Sequence, residues 1–116
     1  MSTAVKSSVL ARAQRAGGKA QGPGPIDRFL DAVWMERGLS PNTLAAYRAD
    51  LTALERWLDQ HDSDLTVAKR GDLLSFMAWR VQAGARPRST ARQLSSFRRF
   101  YRHLVREGVL REDPTA

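Results

Sequence analysis

Cysteine is missing from this chain altogether, which excludes disulfide frameworks, thiol catalysis and cysteine-based zinc sites. Histidine is scarce: His61 and His103 are the only two, too few to hold a metal without help. No metal and no cofactor is therefore expected. No apolar run approaches the roughly 18 residues that a membrane-spanning helix needs, and residues 1–25 lack the apolar centre of a secretory signal. These absences point to a soluble cytoplasmic protein that does not engage membranes. Paired carboxylates in a catalytic spacing and glycine-rich phosphate loops are absent too, and no segment shows the apolar–polar alternation of a strand.

What is present fits one small domain. The 116 residues are 42% hydrophobic, with three Trp and four Phe to supply the large pieces of a core. The net charge of +7 is unevenly spread. Residues 1–25 carry four Lys or Arg and no acid, residues 26–84 carry seven basic and nine acidic groups, and residues 85–116 carry eight Arg against three acids. The positive field thus belongs to the N-terminal segment and to the last helical stretch.

Residues 1–25 are rich in Ala, Gly, Ser, Lys and Arg and end in the breaker Gly22-Pro23-Gly24-Pro25. They read as a disordered basic leader. A DNA-tracking arm and an organelle transit peptide fit the same composition.

From Ile26 onward the periodicity is helical. Ile26, Phe29, Leu30 and Val33 mark a first helix, with Asp27 in its first turn and Gly38 just past its end. Ser40-Pro41 is an N-cap followed by proline at the first helical position. Leu44, Tyr47, Leu51, Leu54 and Leu58 then predict a second helix to about Gln60. After a loop around 61–69, a third helix near Arg70–Gln82 presents Leu73, Leu74, Met77 and Val81. Gly84-Ala85-Arg86-Pro87 breaks it, Ser89 is the expected cap of a fourth helix, and Gly108 closes that helix. Asp113-Pro114 resembles another cap and first helical residue. The expected fold is all-α, a bundle of four main helices.

The fourth helix carries the functional signal. Leu94, Phe97, Tyr101 and Leu104 form an apolar stripe, with Phe100 and Val105 at its edges. Arg92, Ser95, Ser96, Arg99, His103 and Arg106 lie opposite, extended upstream by Arg88, and no acid interrupts them before Glu107. A face of one sign, mixing arginine with small hydroxyls, suits a nucleic-acid backbone. Arg86, Arg88, Ser89 and Thr90 gather at the positive end of this helix. Arg98 is expected against a neighbouring helix, and Arg102 fits either face. At the start of the second helix, Ser40 reads as a cap, while Asn42 and Thr43 are free to contact a phosphate. Arg48, one to two turns later, fits either a DNA contact or an ion pair on the helix surface.

The runs IDRFLDAVWMERGLSPNTLAAYRADLTALERWL, RSTARQLSSFRRFYRHLVREG and EDPTA closely resemble the N-terminal core-binding domain of Xer-type tyrosine recombinases. Phe29 to Trp34 and Glu112-Asp113-Pro114 place the likeness nearer the D-type branch than the C-type branch. The resemblance implies a SAM-like bundle over residues 26–112, half of a clamp around DNA, with residues 113–116 beginning a linker to a catalytic domain. It also implies that the second and fourth helices lie across the major groove. Its candidate DNA contacts are Asn42, Thr43, Arg48, Arg88, Ser89, Thr90, Arg92, Gln93, Ser96 and Arg99, of which Gln93 rests mainly on the resemblance. Further implications are a double-stranded recombination site, a tetrameric synapse with copies of itself or a sister recombinase, a septal DNA translocase as partner, and resolution of chromosome dimers.

The family cleaves DNA with a tyrosine nucleophile in its catalytic domain. Tyr47 and Tyr101, the only tyrosines here, both sit in apolar stripes and read as core. His103 to Arg106 matches H-x-x-R, but its place on the fourth helix argues against catalysis. The chain is therefore expected to hold the DNA-binding half of an enzyme without its chemistry. Two other readings compete: a helical protein-interaction module with a basic face, and a helix-turn-helix regulator, for which the polar helix is too long. On the favoured reading, replacing Arg92 or Arg99 by Ala weakens DNA binding without loss of stability, and replacing Leu94 or Tyr101 unfolds the bundle.

Overall fold

A computed structural model describes residues 24–116; apart from Gly24 and Pro25, the expected leader lies outside them. Four helices follow in order: α1 (Pro25–Arg37), α2 (Pro41–Gln60), α3 (Arg70–Gln82) and α4 (Pro87–Arg106). Among the described residues there is no strand, and no helix is long and apolar enough to cross a membrane.

The helix ends follow from local chemistry. Proline opens α1, α2 and α4, where its fixed φ is already helical and its missing N–H leaves nothing unsatisfied. Ser40 Oγ accepts from the Thr43 N–H at 3.2 Å, as expected of a cap. At α3 the Lys69 N–H instead donates to the Asp72 carboxylate at 2.8 Å. Gly38 stops α1 in the left-handed conformation, φ 59°, and its N–H donates to Trp34 O at 2.9 Å. Ser89 does not cap α4. The helix begins at Pro87 with Arg86 as its cap residue, because the proline sets helical geometry before Ser89 is reached.

The two 20-residue helices, α2 and α4, are each about 30 Å long; they pack together, and the shorter α1 and α3 cover their flanks. Leu51, Leu54 and Leu58 from α2 meet Phe97, Phe100 and Tyr101 from α4, all without measurable exposure. Phe29 from α1 sets its ring edge-on to Phe100 at 5.5 Å. Phe76 from α3 does the same to Phe97 at 5.6 Å. Such edge-to-face pairs add about 0.5–1.5 kcal/mol each to the area they bury. The Tyr101 hydroxyl donates to Leu65 O at 2.7 Å, tying the α2–α3 loop to α4.

Two helix faces are rotated from the sequence expectation. In α3, Leu73 and Phe76 are buried, while Leu74 and Val81 are 59% and 62% exposed. In α4 the central stripe is Thr90, Gln93, Phe97, Phe100 and Leu104, a repeat of three and four, all buried. Leu94 is only half-buried. The stripe opens with two polar residues, and for that reason a search for apolar periodicity misplaces it.

Burial ranks the cost of truncation. Phe100→Ala should lower stability by about 3–5 kcal/mol, and Leu94→Ala by clearly less, as measured by urea denaturation. Tyr101→Phe should cost about 1–3 kcal/mol, because it orphans the buried Leu65 carbonyl.

Candidate nucleic-acid interface

Arg88, Arg92, Ser95, Arg99, Arg102 and Arg106 recur at alternating four and three residues along α4, and all six are exposed. At 1.5 Å per residue the row is about 27 Å long. It differs from the expected face in three ways. Ser96 and His103 have turned inward and are buried, Arg102 has joined the outer row, and Arg98, expected against a neighbouring helix, is exposed.

The inward turn has a cause in α2. Asp50 is 1% exposed, and its carboxylate accepts from Arg92 Nη2 at 2.7 Å, from Arg92 Nε at 3.3 Å and from Ser96 Oγ at 2.7 Å. A buried carboxylate is tolerated only with such partners. Arg92 supplies a two-pronged, charge-assisted bond, and Ser96 supplies a third donor. Both residues were expected at DNA; Ser96 is too buried to reach it, whereas the Arg92 side chain remains 57% exposed at its outer edge.

The other expected contacts divide by exposure. Thr90 is buried and its hydroxyl donates to Pro87 O at 3.1 Å. Gln93 is buried and accepts from Arg80 Nε at 3.2 Å, joining α4 to α3. These two side chains are used within the bundle. Arg88 is open to solvent, and Ser89 is half-buried in the first turn of α4. Asn42 is exposed beside the cap of α2, and Thr43 is half-buried with its hydroxyl 3.0 Å from Ser40 Oγ. Arg48 makes an ion pair with Asp27 of α1 at 2.8 Å, both side chains about half exposed, so its partner lies on the neighbouring helix and not on the surface of α2. A pair so open to water is worth little and releases its arginine at small cost.

Counter-charge also reaches the far end of the row, where Arg106 lies 3.5 Å from Glu36 of α1. Among the described residues, Arg88, Arg99 and Arg102 form no ion pair. These three and the half-open Arg92 form the part of the row that is free to meet an anion.

Neither tyrosine is placed for phosphoryl chemistry. Tyr101 is enclosed, and its burial, reinforced by Asp64, pushes its phenol well above the ordinary range; Tyr47 packs against the core beside Phe29 at 5.9 Å. His103 is held below the usual histidine value, mainly by burial and against the pull of Glu107. It therefore favours the neutral form at pH 7. Among the described residues no group of three His, Asp or Glu could hold a metal ion.

Two outcomes follow. Arg92→Ala should lower stability by about 1–3 kcal/mol in urea denaturation, since it strips a buried carboxylate of its charged partner, whereas Arg99→Ala should leave stability unchanged. For Arg92 this departs from the expectation that both substitutions spare the fold. A neutral His103 stabilises the folded state only while the unfolded chain is also deprotonated. Stability should therefore fall as pH drops from 7 through the ordinary histidine value of 6.5, and His103→Gln should remove that part of the slope in calorimetry.

Residues 26–108 match the family described as "Phage integrase, N-terminal SAM-like domain". The tyrosine recombinase XerD of Yersinia pestis is 52% identical over 91 residues, covering 78% of this chain and 30% of the relative. XerD of Pseudomonas putida is 50% identical over 90 residues, with the same coverage. XerD of Xanthomonas campestris is 44% identical over 98 residues, covering 84% of this chain and 30% of the relative. The chain thus spans about 30% of the length of these curated relatives.

Proposed function

Because the chain belongs to the phage-integrase N-terminal SAM-like family, we propose that it is the DNA-binding part of a site-specific tyrosine recombinase. The observation that carries this reading is the exposed arginine row on α4. A row of guanidiniums on a rigid helix attracts a duplex by displacing its condensed counterions. The N-terminus of α2 supports the same reading: with Thr43 N–H held by Ser40 Oγ and Leu44 N–H by Ser40 O, the backbone N–H and exposed side chain of Asn42 remain to meet an anion at the positive end of the helix.

In this proposal Asn42, Thr43, Arg88, Ser89 and Arg99 contact DNA, together with Arg102, which sequence periodicity left undecided. Arg92 contributes only its outer edge, and Arg48 contributes once it leaves Asp27. Thr90, Gln93 and Ser96 serve as internal fasteners. Strand cleavage belongs to a catalytic domain of the kind the longer relatives have room for. The parent enzyme would exchange strands at paired sites in the cytoplasm, in a tetramer with its own copies or a sister recombinase. Resolution of chromosome dimers at division and regulation by a septal DNA translocase complete the proposal.

The competing reading is a helical module whose basic face meets an acidic protein. Fluorescence anisotropy with a labelled duplex separates them. We expect binding that weakens steeply with salt, with a log–log slope smaller by about 1 in Arg99→Ala and again in Arg88→Ala. Affinity that stays flat from low to moderate salt would refute DNA binding, and unrelated duplex that fails to compete with an acidic protein ligand would favour the protein module.

A further inference from the structure

The far end of the arginine row closes over a cleft of about 210 Å³ between α1 and α4. Arg99, Arg102 and Arg106 line it from α4, and Glu36 and Arg37 line it from the last turn of α1. Phe29, Val33 and His103 complete the lining, with His103 only 6% exposed. Four guanidiniums thus surround one small space with a single carboxylate among them, and Glu36 is engaged by Arg106 at 3.5 Å. Among the described residues, Arg37, Arg99 and Arg102 form no ion pair. His103 stands in the inner wall of the cleft. Its Nδ1 is fully buried without a hydrogen-bond partner, and a native interior seldom leaves such a group unsatisfied. A proton on Nδ1 would leave an orphaned N–H, so the neutral ring keeps its proton on Nε2 and remains a donor.

We propose that this cleft is a seat for one phosphate group, which Arg37, Arg99 and Arg102 bind through their guanidiniums and which His103 neighbours on the inner wall. The size and chemistry agree. A phosphate fits within the cleft volume, planar guanidiniums match its oxygens in paired bonds, and apolar Val33 and Phe29 on the lining limit competing water. Glu36 acts against it, so an arriving phosphate takes Arg106 in exchange for Glu36. The phosphate is either a backbone phosphate of DNA, which rests on the function proposed above, or a free phosphate, which does not. In the first case the footprint of the chain extends past α4 onto α1.

The charged groups around His103 are Arg28, Glu36 and Arg37 from α1, Arg99, Arg102 and Arg106 from α4, and Glu107 just beyond it. A bound phosphate adds negative charge to this set and favours the protonated ring. NMR of the His103 ring in this chain is thus a local reporter, read first with inorganic phosphate and then with a short duplex. Inorganic phosphate should move the ring signals and raise the His103 pKa. Arg37→Ala should weaken that response roughly fivefold, and Glu36→Gln should strengthen it by a similar factor. Both substituted side chains are exposed, so the fold should survive either change. If the duplex also moves the His103 signals and Arg37→Ala weakens duplex binding, the occupant is a DNA phosphate. If only inorganic phosphate moves them while the duplex binds elsewhere, the seat takes free phosphate and its extension of the DNA footprint is overturned. A duplex that does not bind at all, beside an intact phosphate response, removes the DNA function and leaves the seat. Signals unmoved by both ligands, or a response indifferent to Arg37→Ala and Glu36→Gln, would overturn the seat itself.

Discussion

The buried carboxylate of Asp50 sets the rotation of α4, and most of what the molecule presents to its surroundings follows from that angle. Three donors converge on it, two from Arg92 and one from Ser96. The neighbouring Thr90 and Gln93 are likewise satisfied within the bundle. The N-terminal half of the α4 seam is thus specified by directional bonds, and the C-terminal half by Phe97, Phe100 and Leu104. A small turn of α4 about its axis would leave Asp50 facing carbon, with the desolvation of a charge uncompensated. Apolar packing alone tolerates such a turn far better. The polar cluster therefore makes one arrangement of two long helices the stable one.

That arrangement spends one arginine internally to fix the direction of the others. With Arg92 drawn against Asp50, the 3–4 repeat carries Arg88, Arg99, Arg102 and Arg106 outward. Three acids on α1 and α2 then grade the charge of the face: Asp50 subdues Arg92, Glu36 holds Arg106 loosely, and Asp27 restrains Arg48. The two exposed pairs hold their arginines weakly enough to exchange for a stronger anion. The buried pair does not exchange. The face thus has fixed and releasable cations, a distinction invisible to net charge.

The parts of this design that were legible in the sequence are those written in local chemistry. The boundaries of α2 and α3 follow from Ser40-Pro41, from the 3–4 leucine repeat and from the breaker at Gly84, and they agree with the structure. The α1 core face was equally plain, because Ile26, Phe29, Leu30 and Val33 have no polar residue among them on that side. Family membership was legible from the order and spacing of three conspicuous runs, and the family match bears it out. The exposed face of α4 was less legible. Asp50 meets Arg92 from 42 residues away, and no periodicity announces a partner at that distance. Thr90 and Gln93 look like surface residues until Pro87 and Arg80 are seen to satisfy them. Leu74 and Val81 look like core until α3 is seen to dock through Leu73 and Phe76. Ser96 and His103 were assigned outward for the same reason: an apolar count cannot say which polar residues a helix will bury.

A straight rod of charge has a limited fit to a helical polymer. The α4 row is about 27 Å long, comparable to eight base steps of a duplex at about 3.4 Å each. Over that distance the groove winds through most of a turn, whereas the rod stays straight. Its middle can therefore sit deep while its two tips ride up towards opposite sugar-phosphate rails. On the proposed DNA reading, a helix so placed gauges the separation of the two strands, so melted DNA, with its rails no longer held apart by base pairs, would offer it a poorer ruler than an intact duplex.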